Sequence, residues 1–159
     1  MRPASRKSVW LTLLIAYVLY LLPWEGFGLL MRPDFVLLAL LYWMLRAPRL
    51  CSLGTAWVMG LLVDVASGSY FGQHALAYSC AVFFLIQYHR RLVLFNSLQQ
   101  TGQVFLLLLV SQLVLLVVKL MSGNELPGWS YFLSSVSGVL LWQVLVITRV
   151  IVAENRSSA

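Results

Sequence analysis

The residues best suited to chemistry lie between positions 60 and 76, in the stretch GLLVDVASGSYFGQHAL, where a single carboxylate interrupts an apolar run. Asp64 shares one helical face with small residues that recur every fourth position: Ala56, Gly60 and Gly68. Small residues at this spacing let two membrane helices approach until their backbones touch. An acid on the same face would point at the neighbouring helix, where it needs a polar partner because an unpaired charge in a membrane is costly.

Three roles of Asp64 remain open on the residues alone. Its carboxylate could accept hydrogen bonds from backbone amides of a turn at residues 67–72. It could instead pair with Arg32 or Lys119, or it could bind a proton, an ion or a solute. Gly68 and Gly72 mark the turn that joins the third and fourth predicted helices.

The sequence lacks the side-chain sets that enzymes use. It contains no HExxH, GxSxG, GKS/T or GxGxxG motif. The five acids are scattered, and His74 and His89 are expected on opposite faces of the membrane. Hydrolysis or group transfer needs a nucleophile, a base and an orienting partner within reach of one another. We therefore expect no catalytic residue, no metal site and no cofactor.

The composition indicates what surrounds these residues. Of 159 residues, 61% are apolar and 10% are charged, whereas soluble domains average about 45–50% and about 25%. These fractions exclude a soluble globular protein, a disordered chain and a nucleic-acid binder. A membrane-crossing helix needs about 20 apolar residues, so six helices with short turns use nearly the whole length. The sequence therefore predicts one transmembrane domain over residues 1–159.

Six apolar runs separated by polar clusters predict the spans, which are approximately 9–24, 32–45, 50–66, 73–88, 104–121 and 129–152. The second run is short, so we expect its helix to start near Arg32, with Pro33 in the first turn and Asp34 inside the protein. Residues 26–31 would then form an interfacial or re-entrant segment. Residues 92–101 are expected to form an amphipathic helix on the cytoplasmic surface, the alternative being a long tilted fifth helix.

The positions of the basic residues predict the orientation. With six spans, both chain ends share one side with the second and fourth loops. That side holds nine of the eleven basic residues: Arg2, Arg6, Lys7, Arg46, Arg49, Arg90, Arg91, Arg149 and Arg156. The other side holds Arg32 and Lys119. Lys and Arg in short loops favour the cytoplasm, so the predicted fold is an all-α integral membrane protein with six transmembrane helices and both termini cytoplasmic.

Two stretches resemble the MreD family of bacterial rod shape-determining proteins. They are RPDFVLLALLYWML at 32–45 and GTAWVMGLLVDVASGSYFGQHAL at 54–76. The positions that carry the resemblance, as signature and helix-packing residues, are Arg32, Pro33, Asp34, Gly60, Asp64, Gly68 and Gly72. The family supplies no catalytic residue to these positions. It also implies a fold like that of the membrane-embedded substrate-binding subunits of energy-coupling-factor transporters.

The resemblance further implies a non-enzymatic, multi-pass scaffold of the bacterial inner membrane that maintains rod shape. Its implied partners are the MreC transmembrane helix above all, then MreB filaments, and RodA with its class B transpeptidase. The basic loops would meet the filament or anionic lipid through Arg46, Arg49, Arg90 and Arg91. On this hypothesis, Gly60→Leu or Gly68→Leu is predicted to weaken the capture of MreC.

The alternative function is a solute- or lipid-binding membrane subunit of a transporter. The polar residues near Asp64 that could serve a solute are Tyr70, Gln73 and His74. A ligand site usually gathers a larger convergent set, so we expect no small-molecule ligand.

Overall fold

The computed structural model describes residues 5–23, 26, 32–68, 70–94, 97–123 and 128–157, with the side chains at 89–94, 97, 129–130 and 149–157 outside that description. Within these ranges the chain forms helices and turns and contains no strand. The helices are α1 (Arg6–Leu21), α2 (Phe35–Arg46), α3 (Leu53–Ser67), α4 (Gln73–Leu94), α5 (Ser97–Met121) and α6 (Leu133–Ser157), with a 3₁₀ turn at Trp129–Phe132. The all-helical architecture is as the sequence predicts.

The start of α2 differs from the expected start at Arg32. The Asp34 carboxylate accepts a hydrogen bond from the Leu37 amide at 3.1 Å, which makes Asp34 the N-cap residue. A side-chain acceptor there satisfies an amide that has no partner inside the helix, so the helix begins at Phe35 and Pro33 lies before it. Of the predicted re-entrant segment, Gly26 is described and residues 27–31 lie outside the described residues.

The stretch predicted as a surface helix at 92–101 is divided between two helices. Residues 92–94 end α4 and residues 97–101 begin α5, while 95–96 lie outside the described residues. Thr101 is buried, and its hydroxyl accepts a hydrogen bond from the Gln143 amide at 2.9 Å. This contact ties the first turns of the 25-residue helix α5 to α6.

Helix α2 lies at the centre of the bundle and contacts α1, α3, α4 and α6. Seven of its 12 residues are buried: Val36, Leu37, Leu38, Leu40, Leu41, Trp43 and Met44. A helix surrounded by neighbours is apolar on all sides. Its length, about 18 Å at about 1.5 Å per residue, is shorter than a bilayer's hydrocarbon core of about 30 Å.

Side-chain hydrogen bonds fix α1 on this centre. The Trp43 indole donates to the Thr12 hydroxyl at 2.6 Å, and the Tyr17 hydroxyl donates to the Leu62 carbonyl at 3.1 Å. The opposite face of α1 exposes large apolar side chains such as Trp10, Leu14 and Val18.

Apolar side chains cover much of the outside of the described bundle, and several polar ones are buried within it. The buried polar side chains are Asp64, Gln73, Thr101, Ser111, Gln112 and Ser135. By length and composition, one helix of the described residues, Leu98–Met121, is long and apolar enough to cross a membrane. Shorter apolar helices occupy Phe35–Arg46, Leu53–Ser67 and Leu133–Thr148.

Candidate functional site

Asp64 holds the start of α4 against the end of α3. Its carboxylate oxygens lie 2.9 Å from the Gly72 amide nitrogen, 2.9 Å from that of His74 and 3.4 Å from that of Ala75. Amides in the first turn of a helix have no partner within it, and the positive end of the helix dipole favours a carboxylate there. Of the three roles that the sequence leaves open for Asp64, the structure therefore shows the first, in which the carboxylate accepts hydrogen bonds from backbone amides. The donors are the amides of Gly72, His74 and Ala75.

His74 is a second partner of this carboxylate. Its Nδ1 atom lies 2.8 Å from Asp64 Oδ1. Among the described residues, the ion-pair partner of Asp64 is His74, and neither Arg32 nor Lys119 forms an ion pair with it. The turn brings the start of α4 back to the end of α3, so a residue ten positions away faces the acid. Sequence reasoning treated His74 only as a nearby polar residue.

Helix α3, the turn after it and the start of α4 form a helical hairpin, and glycines of the same motif shape it. A Cβ atom on Gly60 would lie 2.4 Å from Ala75 Cα and 2.7 Å from the His74 carbonyl carbon, so the backbones of α3 and α4 touch there. Gly68 ends α3 with φ +60° and Gly72 has φ +97°, a left-handed backbone that glycine adopts most easily. The close approach predicted from the small residues therefore occurs within the chain.

This arrangement corrects the prediction that Gly60→Leu or Gly68→Leu would act on the capture of MreC. A side chain at Gly60 collides with the α4 backbone, and a side chain at Gly68 meets open space but strains the turn. Both changes therefore act first on the fold of the hairpin.

Asp34 connects α2 to α4. Besides capping α2, its carboxylate accepts a hydrogen bond from the Tyr78 hydroxyl at 2.7 Å. Tyr78 is fully buried in α4. The first signature motif is thus joined by one short side-chain contact to α4, two residues beyond the end of the second motif.

Tyr78→Phe is expected to lower the free energy of unfolding by about 1.5–3 kcal/mol, the usual contribution of a hydrogen bond to a charged group. The change removes one hydroxyl and leaves the ring in place, so packing is preserved. Thermal unfolding of the purified protein in detergent would measure the loss. Tyr70→Phe, at an exposed tyrosine, is the matched control, and equal stability of the two variants would contradict this assignment.

Arg32 is held between α1 and α6. Its guanidinium donates to the Tyr20 carbonyl and lies over the Tyr20 ring, with Cζ 3.8 Å from the ring centroid. The Arg32 carbonyl accepts a hydrogen bond from the Ser134 hydroxyl at 2.8 Å. These contacts fix a cation at the end of the bundle where α1, α3 and α5 end.

A polar cavity of about 240 Å³ lies at this end of the bundle. The polar and charged side chains in its wall include Arg32, Asp34, Gln73, His74, Gln112 and Lys119. They come from the segment before α2, from the start of α4 and from α5, while Tyr131, Ser134 and Ser135 close the wall at the start of α6. We call this space the polar cavity.

The α5 side of the polar cavity is fixed by a buried amide. Gln112 accepts a hydrogen bond from the Ser135 hydroxyl at 2.6 Å and donates to the Tyr131 carbonyl at 3.3 Å. Lys119 extends over the Tyr131 ring, with Nζ 5.0 Å from its centroid. Helix α5 is thereby held to the start of α6 and to the 3₁₀ turn that precedes it.

The predicted site residues divide into two groups. Arg32, Pro33 and Asp34 line the polar cavity, as do Gln73 and His74, whereas the motif glycines shape the hairpin behind it. The basic residues of the predicted cytoplasmic loops do not line the polar cavity. Arg46 and Arg49 are exposed around the end of α2; Arg90 and Arg91 lie in α4 with side chains outside the described set.

Sequence reasoning missed the contacts of Tyr20, Tyr78, Gln112 and Ser135. Each meets its partner across a long separation along the chain, which no local pattern reveals. For Ser134 and Arg32 the separation is 102 residues.

Comparison with known proteins relates most of the chain to one family. The family model described as "rod shape-determining protein MreD" matches residues 1–148. The rod shape-determining protein MreD of Haemophilus influenzae (strain ATCC 51907 / DSM 11121 / KW20 / Rd) is 32% identical over 138 residues, which cover 84% of this chain and 85% of that protein. No solved structure matches the chain.

Proposed function

The chain belongs to the MreD family of rod shape-determining proteins, and from this membership we propose that it acts as a multi-pass scaffold of the bacterial inner membrane. Members of the family are membrane proteins of the rod-shape system, and membership supports a role in rod shape determination. The scaffold would be non-enzymatic. It would dock the MreC transmembrane helix and link MreB filaments to the peptidoglycan synthases, namely RodA and its class B transpeptidase.

The membrane part of this proposal is supported by the distribution of apolar and polar side chains. Large apolar side chains are exposed on α1, α3, α4, α5 and α6 of the described bundle, while polar side chains pair in its interior, Gln112 with Ser135 and Gln143 with Thr101. An exposed apolar surface of this extent is typical of contact with lipid. Six crossings with both termini in the cytoplasm also explain the distribution of Lys and Arg.

The outer face of α5 is the observation that carries the docking proposal. Gly102 is exposed, and a Cβ atom there would meet nothing within 4 Å. The exposed apolar residues that share its side of the helix are Leu98, Leu106, Leu113, Val117 and Leu120, and together with Gly102 we call them the α5 face. Gly60 and Gly138, in contrast, already pack closely inside the chain.

A glycine flanked by exposed leucines suits a partner helix. Between helices in lipid, association depends on close packing, because lipid tails are as apolar as leucine. A partner backbone can approach closely at Gly102 and pack against the leucines above and below it. The MreC transmembrane helix is the occupant we propose for the α5 face.

The basic loops would provide the cytoplasmic contacts. Arg46 and Arg49 are exposed at the end of the bundle opposite the polar cavity. Together with Arg90 and Arg91, they would meet the MreB filament or the anionic lipid of the cytoplasmic leaflet.

Gly102→Leu is expected to reduce MreC recovery on co-purification from detergent about tenfold, which corresponds to about 1.4 kcal/mol of binding free energy. The leucine would keep the partner backbone at a distance, and its Cβ atom would meet nothing within 4 Å in its own chain. Val136→Leu, a change at an exposed position of α6, is the control and should leave recovery unchanged. Undiminished recovery with Gly102→Leu would count against docking at the α5 face.

The polar cavity favours a second candidate function, a solute- or lipid-binding membrane subunit of a transporter. A fold like that of the energy-coupling-factor subunits would suit this function, although fold similarity alone does not establish it. The two candidates differ in one requirement. A transporter subunit must move its solute across the membrane of proteoliposomes together with its partners, which a scaffold does not do.

A further inference from the structure

The polar cavity carries more positive than negative charge that is available to a ligand. Arg32 and Lys119 are half-buried in its wall, and neither has a carboxylate partner in the part of the chain that the structure describes. Asp34 is the one carboxylate in the described wall, and its Oδ1 atom accepts hydrogen bonds from both the Tyr78 hydroxyl and the Leu37 amide. Because a cation removed from water is costly without a counter-charge, an anionic group would be stabilised between the two cations.

Arg32 is prepared to bind such a group. Its guanidinium is held by the Tyr20 carbonyl and ring, so little side-chain freedom is lost on binding. Its buried Nε has no hydrogen-bond partner among the described residues. A guanidinium group binds two phosphate oxygens at once through adjacent N–H donors. A lysine ammonium attracts the phosphate as a point charge instead.

Gln73 indicates a second feature of the ligand. Its side chain lies in the cavity wall and is 4% exposed, and its Oε1 atom has no hydrogen-bond partner among the described residues. A buried polar atom without a hydrogen bond destabilises the fold, because it has lost its contact with water and gained no partner. A hydroxyl group can donate and accept, so it satisfies the amide in either orientation.

The polar cavity has room for a small ligand. Its volume of about 240 Å³ is many times the roughly 10–15 Å³ that a cavity needs to hold one water molecule. A phosphate with a few hydroxylated carbons fits this space. The cavity also lies at the end of the bundle, where a lipid head group or a small solute can reach it.

From these observations we propose that the polar cavity binds a hydroxylated phosphate ester, with Arg32 and Lys119 on the phosphate and Gln73 on a hydroxyl. Glycerol phosphate represents this chemistry, either free or as the head group of a phospholipid. The proposal is independent of the docking of MreC, because the α5 face and the cavity share no residue.

Thermal unfolding of the full chain in maltoside micelles, which contain no phosphate, tests the proposal. Glycerol 1-phosphate represents the free ligand, and short-chain phosphatidylglycerol represents the lipid. Short-chain phosphatidylcholine has a phosphate but no hydroxyl and is the chemical control. At about a hundred times its Kd, a ligand that binds the folded state is expected to raise Tm by roughly 5–10 °C.

Three variants identify the site. Lys119→Gln and Gln73→Leu are each expected to weaken binding on the order of tenfold, the usual consequence of losing one such contact. Arg32→Gln is expected to weaken it further, while Lys7→Gln removes an exposed cation of α1 and should bind normally. If Arg32→Gln fails to fold, Lys119→Gln and Gln73→Leu still test the site. Neither of these two side chains makes a hydrogen bond to the described residues, so the fold does not depend on such a bond.

The outcomes separate the two sources of the ligand. Stabilisation by both probes indicates a soluble ester, and stabilisation by phosphatidylglycerol alone indicates a lipid head group. Stabilisation by neither probe, an equal effect of phosphatidylcholine, or unchanged binding in Lys119→Gln and Gln73→Leu would overturn the proposal.

Discussion

Gly60→Ala is expected to destabilise the protein strongly, although alanine stabilises a helix interior by roughly 0.5–1 kcal/mol relative to glycine. The added Cβ would lie 2.4 Å from Ala75 Cα and 2.5 Å from the Ala75 nitrogen, which are backbone atoms that no rotamer change can move. The start of α4 would have to shift, and the hydrogen bonds from Asp64 would be lost with it. Overpacking of this kind typically costs about 1–3 kcal/mol, and we expect the upper end or beyond.

Thermal unfolding in detergent, followed by tryptophan fluorescence, measures this effect. Gly102→Ala is the matched control, because the same methyl group is added to a helical glycine in open space. We expect Gly102→Ala to unfold at or above the temperature of the original protein. Equal melting temperatures for Gly60→Ala and Gly102→Ala would show that α3 and α4 do not touch at Gly60.

Asp64→Ala is expected to cost on the order of 3–5 kcal/mol, comparable to breaking a buried ion pair by removing one partner. The change removes the acceptor for the amides of Gly72, His74 and Ala75 and the partner of the His74 ring. Asp64 is 1% exposed, so water cannot easily replace the carboxylate. Much of the protein should then fail to accumulate in folded form.

Asp64→Asn separates the loss of hydrogen-bond acceptors from the loss of side-chain volume. Asparagine keeps one carbonyl oxygen for the amides and turns an N–H₂ group toward the others, so we expect an intermediate loss of stability. Urea or thermal unfolding of both variants in micelles measures the series. If Asp64→Ala were as stable as the original chain, the carboxylate could not be what holds the hairpin.

Local patterns in the sequence predicted much of the hairpin. The four-residue spacing of small residues indicated close helix packing, and the acid on that face indicated a polar partner there. The pattern predicts a close approach but does not identify the helix that approaches. The sequence analysis therefore expected a helix of another protein at Gly60, where the structure has Ala75 of the same chain. Asp34 before an apolar run is a signal for a helix N-cap, and it could have located the start of α2.

The polar cavity could not be predicted from local patterns. Its wall combines Arg32, Gln73 and Lys119 with the start of α6, and these segments are far apart along the chain. The sequence argument against a ligand counted only the polar residues near Asp64. Packing of the helices adds two cations, the Gln112 amide and several hydroxyls to that set, which changes the expectation.

The signature residues and the residues of the α5 face occupy different parts of the described bundle. The signature residues build the hairpin and the wall of the polar cavity, and the exposed α5 face remains available to a partner helix. Variants of the signature positions are expected to act on stability or ligand binding. Variants of the α5 face are expected to act on assembly with MreC while the protein stays folded.

Photocrosslinking in native membranes tests the proposed docking most directly. A photoreactive residue at Leu106 or Leu113 of the α5 face is predicted to form adducts with MreC. The same residue at Leu140 of α6, which is 60% exposed, is predicted to form none. Adducts from Leu140 in place of the α5 face, or no MreC adduct from Leu106 and Leu113, would contradict the account.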